Sequence, residues 1–243
     1  MTDSRAAWST GPRSRPVIAL DGPASSGKSS VGAAVATALR LRFFDSGLLY
    51  RALAWAALDR GVDPANGPGV AALAAFVVVE ADEDGRLDRV IIDRRDVSTE
   101  IRTPAVDRVV SAVARAPEVR AALLVRQRAL VEAGGIVVAG RDIGTVVLPG
   151  ADAKIWLDAS AEERAARRAL ERGISPVSTE GRAILDDLRR RDRADADRAL
   201  SPARPADDAI HVRTDGNTLD ETVAAVIAAV ATRLPAGAGG AAR

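Results

Sequence analysis

The apolar positions of this chain follow two rhythms, and their alternation predicts a sheet threaded by helices. Residues 17–20 are an unbroken apolar run followed by a Gly/Ser-rich turn, after which Val31, Ala34, Val35, Ala38 and Leu39 recur at helical spacing. A short run at 43–44 leads into an amphipathic stretch over 48–58 that Gly61 is placed to end as a helix C-cap. From 76 to 98 the texture becomes β-rich, with runs at 76–79 and 87–92 joined by Asp82-Glu83-Asp84-Gly85, a hairpin signal. Helical periodicity returns over 104–114 and 117–133. Each stretch opens on a proline suited to a first turn, and Gly134 and Gly135 close the second. The runs 136–139 and 154–157 are short and apolar, as strands covered on both faces are. Ser160 and Glu163 have capping-box spacing and predict a helix start. The segment 164–198 is highly charged and mostly helical, with a break near 173–176. A last strand is expected at 209–212, and Asn217 is expected to cap a final helix carrying Leu219, Val223, Val226 and Val230. With no internal repeat, this order predicts a doubly wound α/β fold with a small antiparallel sheet inserted after the second helix.

Composition narrows the chemistry. The 243 residues are 47% hydrophobic and 28% charged, and no apolar run approaches the roughly 18 residues of a membrane span. Basic and acidic residues number 34 and 33, so no overall field would gather a nucleic acid polymer. There is no cysteine and a single histidine, His211, which excludes disulfides, thiol nucleophiles and multi-histidine metal sites. Phosphoryl transfer survives this filter, because it asks the protein for positioning and positive charge. Residues 1–15 are polar and lack a secretory apolar stretch, and 235–243 are Gly/Ala-rich. Both ends are expected to be disordered and the protein to remain cytoplasmic.

One motif satisfies the filter directly. Gly22-Pro23-Ala24-Ser25-Ser26-Gly27-Lys28-Ser29 matches G-x-x-x-x-G-K-[ST] between a predicted buried strand and a predicted helix. Its glycines let backbone N–H groups converge on phosphate oxygens, and the following helix aims its positive end at the same point. Lys28 is expected to reach the β- and γ-phosphates, Ser29 to supply a hydroxyl to Mg²⁺, and Ser30 to support the α-phosphate. The loop alone leaves the activity open. The only other lysine, Lys154, precedes Ile155-Trp156, so the guanine-reading Asn-Lys-x-Asp element of GTPases is missing.

Three further segments set arginine beside acid: Asp45 to Arg51, Gly140-Arg141-Asp142-Ile143-Gly144, and Arg191 to Arg198. The first two follow predicted strands, whose carboxyl ends line the ligand crevice of such a sheet. These segments, with the Gly22 to Ser30 loop, Ser111, Arg120 and Pro202, resemble the bacterial cytidylate kinases in order and spacing over about residues 17–231. The resemblance implies a P-loop NTPase fold with a five-stranded parallel sheet, a nucleotide-binding insert at 62–133, and a core made of 16–61 and 134–234. A lid would lie at about 164–198. It implies a monomer that moves the γ-phosphate of ATP to CMP or dCMP with Mg²⁺, and an acceptor site at Ser46, Arg51, Ser111, Arg120, Arg141, Asp142, Arg191, Asp195 and Arg198.

Within that set, Asp142 and Arg120 complement the amino and acceptor groups of cytosine. Arg51 and Arg141 have the planar fork that suits a phosphate, and Ser111, Arg191 and Asp195 are assigned to the sugar. Arg164, Arg167, Arg168 and Arg172 are candidates to close over ATP, with half of them expected to face solvent. Asp45 is left between holding its loop and standing near the metal. Tyr50, Trp55 and Trp156 are assigned to packing, and His211 to structure. The competing readings are a small kinase for another nucleotide or for a polar metabolite such as shikimate, and a noncatalytic nucleotide sensor or RNA-associated NTPase.

Overall fold

A computed structural model describes residues 15–198 and 200–234. The disorder expected at the two ends concerns residues that, Arg15 apart, lie outside this range. The chain begins with β1 (Val17–Asp21), α1 (Lys28–Ala38), β2 (Arg42–Asp45) and α2 (Gly47–Asp59). Next come α3 (Gly67–Ala72), a 3-10 turn, and the strands β3 (Val77–Ala81), β4 (Arg86–Ile92) and β5 (Arg95–Asp96). Helices α4 (Pro104–Val113) and α5 (Pro117–Val131) lead to β6 (Ile136–Gly140) and β7 (Ala153–Asp158). The chain then forms α6 (Ala161–Glu171), α7 (Thr179–Ala196), β8 (Ile210–Arg213) and α8 (Leu219–Ala231).

The five strands β2, β6, β1, β7 and β8 lie side by side in that order and are parallel. Every residue of β1 and β6 is buried, which explains their unbroken apolar runs. Period-two alternation then divides the core. Val17 and Ala19 of β1 join Phe44, Ile136 and Val138 under α2, α4 and α5. Ile18 and Leu20 join Phe43, Val137 and Ile155 under α1 and α8.

The hairpin departs from expectation in one respect. β4 runs antiparallel to both β3 and β5 as predicted, yet they form no separate sheet. β4 pairs in parallel with β2, through Phe43 to Arg86 and Phe44 to Leu87, so the hairpin extends the main sheet to eight strands. The hairpin signal is local, whereas this pairing joins residues more than forty positions apart in the sequence and leaves no mark on the periodicity of either strand.

A second departure concerns α8. Its cap is Thr218, whose hydroxyl accepts from the Glu221 amide while the Glu221 carboxylate accepts from the Thr218 N–H, a complete capping box. Asn217 instead donates its side-chain amide to the Arg213 carbonyl. At α6 only half of the expected box forms. Ser160 accepts from the Glu163 amide, and Glu163 turns to Arg167.

Candidate active site

The Gly22 to Ser30 loop leaves the buried end of β1 and enters α1. Gly27 caps that helix at φ 87°, a left-handed conformation that costs glycine nothing. Lys28 follows it and is buried, with Nζ donating to the Pro23 carbonyl at 2.5 Å and to Ser26 Oγ at 3.1 Å. Its ammonium is folded back over the loop it would serve. Burial first, and then the nearby Arg141 guanidinium, push the Lys28 ammonium well below its ordinary pKa. An arriving phosphate would reverse the second of these effects. Ser29 and Ser30 are exposed, and the Ser29 hydroxyl donates to Asp45 Oδ2 at 2.5 Å. Asp45 also accepts from the Gly47 N–H at 2.9 Å, so it both holds its own loop and stands beside Ser29.

A second acid, which the sequence reading did not single out, joins this loop to the next. Asp21, the last residue of β1, is buried and accepts from the N–H groups of Ile143 and Gly144 at 2.9 and 2.7 Å. These amides open a π-helical turn, Ile143–Val147, which follows β6 and sets the direction of Arg141 and Asp142. Burial pushes the Asp21 carboxyl up to about 7, although both amides and Lys28 pull it down. The turn passes close to the core: a Cβ on Gly140 would lie 2.6 Å from the Ile143 side chain and 2.7 Å from Ser46 Oγ. Only glycine permits this approach.

All nine residues assigned to the acceptor line one cleft of about 170 Å³, together with Ala24 of the phosphate loop, Asp45 and Tyr50. They arrive from the starts of α2 and α5, from α4, from the loop after β6 and from the end of α7. Their charges are matched to one another. Arg120 donates to Asp142 in a pair whose side chains are 9% and 8% exposed. Arg51 donates to Asp107 at 2.7 Å and to the Ile101 carbonyl at 3.1 Å. Arg141 donates to Asp195 at 3.3 Å, and Arg198 donates to the same carboxylate. Arg191 reaches the Asp107 carbonyl at 3.3 Å. Two donors, Nε of Arg120 and Nε of Arg198, are buried with no acceptor, which is uncommon in a protein interior. Tyr50, assigned to packing, does pack, but it also forms part of the cleft wall under Arg120, whose guanidinium carbon lies 5.6 Å from the ring centre.

The four arginines Arg164, Arg167, Arg168 and Arg172 divide evenly between two engaged within the protein and two that line an opening. Arg164 is buried and fully engaged: Nε donates to the Ala159 carbonyl, Nη1 to the Ala24 carbonyl at 2.8 Å, and Nη2 to Asp192 at 2.6 Å. Asp192 in turn accepts from the Ala24 N–H at 3.3 Å, so both polar groups of the phosphate-loop residue Ala24 are held by α6 and α7. Apolar contacts of Ala24 with Ala165 and Leu188 close the joint. Arg167 is bound to Glu163 and to Thr214 beyond β8. Arg168 and Arg172 face a broad opening between α4 and α7. Asp107 had no signal of its own beyond helical spacing from Ser111, whereas Asp192 lay within the Arg191 to Arg198 segment without being assigned a role. His211 is exposed on β8, and Trp156 is buried. Among the described residues no cluster of three or more His, Cys, Asp or Glu could hold a metal, and no helix is long and apolar enough to cross a membrane.

Known proteins agree with this architecture. A family model described as cytidylate kinase matches residues 18–232. A cytidylate kinase of Exiguobacterium sibiricum is 44% identical over 207 residues, covering 85% of this chain and 93% of its own. One from Pseudomonas fluorescens is 45% identical over 224 residues, covering 91% and 98%. Among solved structures, a gluconokinase from Sinorhizobium meliloti superposes with a TM-score of 0.50 over 91% of this chain and 94% of its own at 16% identity, a likeness of fold alone. A match across nearly the whole chain, at this identity and on this fold, makes the protein a member of the cytidylate kinase family.

Proposed function

We propose that the protein transfers the γ-phosphoryl group of ATP to CMP or dCMP, giving ADP and CDP or dCDP, by direct in-line displacement. The observation that supports this most is the convergence of nine acceptor residues, from distant parts of the chain, in one cleft beside the Lys28 loop. ATP lies with its phosphates on the amides of residues 22–30. The acceptor phosphate lies between Arg51 and Arg141, which leave Asp107 and Asp195 to grip it. Lys28 and Arg141 are close enough for their charges to repel, so together they flank the phosphoryl group in flight and offset its charge. Asp142 accepts from the cytosine amino group, and Arg120 donates to the ring acceptors. Uracil reverses that pattern and leaves a buried charge unmatched. Ser111, Arg191 and Asp195 contact the sugar, and Ser46 supports the acceptor near the turn.

The residues at the loop also fit Mg²⁺. An exposed Ser29 hydroxyl beside the Asp45 carboxylate offers hard oxygen atoms of the kind this ion prefers, and phosphates and water would supply the rest. Bound there, the ion would neutralise the donor phosphates. The working unit is a cytoplasmic monomer, with nucleotides as its partners and no nucleic acid polymer or membrane.

An ADP-release assay with ATP and Mg²⁺ against CMP, dCMP, UMP, AMP and shikimate tests this directly. CMP and dCMP are expected to give the highest kcat/KM. A preference for AMP or shikimate would overturn the assignment.

A further inference from the structure

The broad opening between α4 and α7 has a volume of about 1240 Å³ and is lined by eight arginines and three aspartates. All three acids are already engaged: Asp107 with Arg51, Asp195 with Arg141, and Asp187 with Arg190 and Arg191. Arg108 and Arg115 on the α4 side and Arg172 at the end of α6 have no acidic partner among the described residues, and all three are exposed. Like charge accumulates here. Burial, and then the charge of Arg172, press the Arg168 guanidinium below its ordinary pKa. The opening shares Ser111, Arg191 and Asp195 with the acceptor cleft and includes no residue of the 22–30 loop. It therefore opens onto the acceptor cleft.

We infer that this opening is an outer anion subsite that captures the phosphate of the incoming nucleoside monophosphate before it passes to the inner cleft, with Arg108 and Arg115 as its principal unpaired charges. The inference rests on the acceptor assignment above. A recess lined by one sign of charge concentrates field lines and raises the encounter rate of an oppositely charged ligand, an effect that ionic strength abolishes. Arg108 and Arg115 lie outside the inner cleft, so they act on capture and not on the transfer step.

The test compares the wild-type protein with the double variant R108A/R115A and with the charge-conserving R108K/R115K. The kcat/KM for CMP and for ATP is measured from low salt to about 1 M, and thermal melting confirms the fold. Removal of both charges is expected to lower kcat/KM for CMP about 5- to 10-fold at low salt. It should leave kcat and the kcat/KM for ATP within about twofold, and lose its effect as the Debye length shrinks to ~3 Å. The lysine variant should restore most of the rate. An R108A/R115A protein with wild-type kcat/KM for CMP at low salt, or with a deficit that salt does not erase, overturns the inference. Failure of the wild-type protein to phosphorylate CMP would instead overturn the function on which it rests.

Discussion

The donor loop and the acceptor cleft lie side by side and are built on opposite plans. The loop is one continuous run of nine residues whose ligands are main-chain amides, fixed by a left-handed glycine and by the helix that follows. The cleft gathers side chains from several elements, and its guanidinium groups donate to the protein's own carboxylates and carbonyls, while Nε of Arg120 and of Arg198 find no acceptor. The first plan has few partners to release, the Ala24 N–H from Asp192 and the Lys28 ammonium from Pro23 and Ser26. If Arg51 and Arg141 grip the acceptor phosphate as proposed, the second plan is an exchange, in which each trades an internal partner for a phosphate and affinity is the difference between two ion pairs. Selectivity belongs to the exchanging side, because a ligand that cannot replace what it displaces leaves a charge unmatched.

Four perturbations break or sharpen that contrast, in descending order of effect. Lys28→Met removes the one side-chain charge of the donor loop. Turnover is expected to fall by about a thousandfold or more with melting unchanged, and near-normal turnover would refute the donor assignment. Asp192→Ala leaves the Arg164 charge buried without its carboxylate, and an equilibrium urea titration is expected to show a loss of about 3 kcal/mol. The double variant R164M/D192L should recover most of that loss, and an unperturbed D192A would mean that α7 does not hold Ala24.

Asp142→Ala acts on the acceptor side alone. The ratio of kcat/KM for CMP over UMP is expected to fall by about ten- to a hundredfold, and an unchanged ratio removes Asp142 from base reading. The smallest effect on the reaction is expected at Asp21, between the two sites, where the readout is stability against pH. Its carboxyl titrates near 7 in the folded chain and near 3.8 when unfolded, so the folded state binds the extra proton between those values. The stability it contributes is complete below about pH 4 and is lost as pH rises through 7. Asp21→Asn should flatten the pH dependence of the denaturation midpoint across that window, and an unaltered slope would contradict the shift.

The same contrast explains what the sequence disclosed. The Gly22 to Ser30 motif was legible because it is written in consecutive residues, and the strand and helix expected on either side of it are β1 and α1. The nine acceptor positions came through family resemblance, and their partners did not: nothing near Arg164 announces Asp192, and nothing near Arg51 announces Asp107, because folding alone brings each pair together. Arg164 is the instructive case, since an arginine in a charged helix suggests a surface or a ligand and here holds the peptide of Ala24. The parallel pairing of β4 with β2 was hidden for the same reason. The cap of α8 was legible and was misplaced by one residue. Asn217 and Thr218 are both good caps, and Glu221 three positions beyond Thr218 distinguishes them.

The way the hairpin joins β2 has a consequence for any attempt to shorten the protein. Phe43 and Phe44 would otherwise stand on an open flank of the sheet, where unpaired amides beside aromatic side chains invite a neighbouring chain to add itself. Excising residues 77–96 would therefore bare a sticky edge as well as removing an insert, and the product would self-associate before its catalysis could be judged.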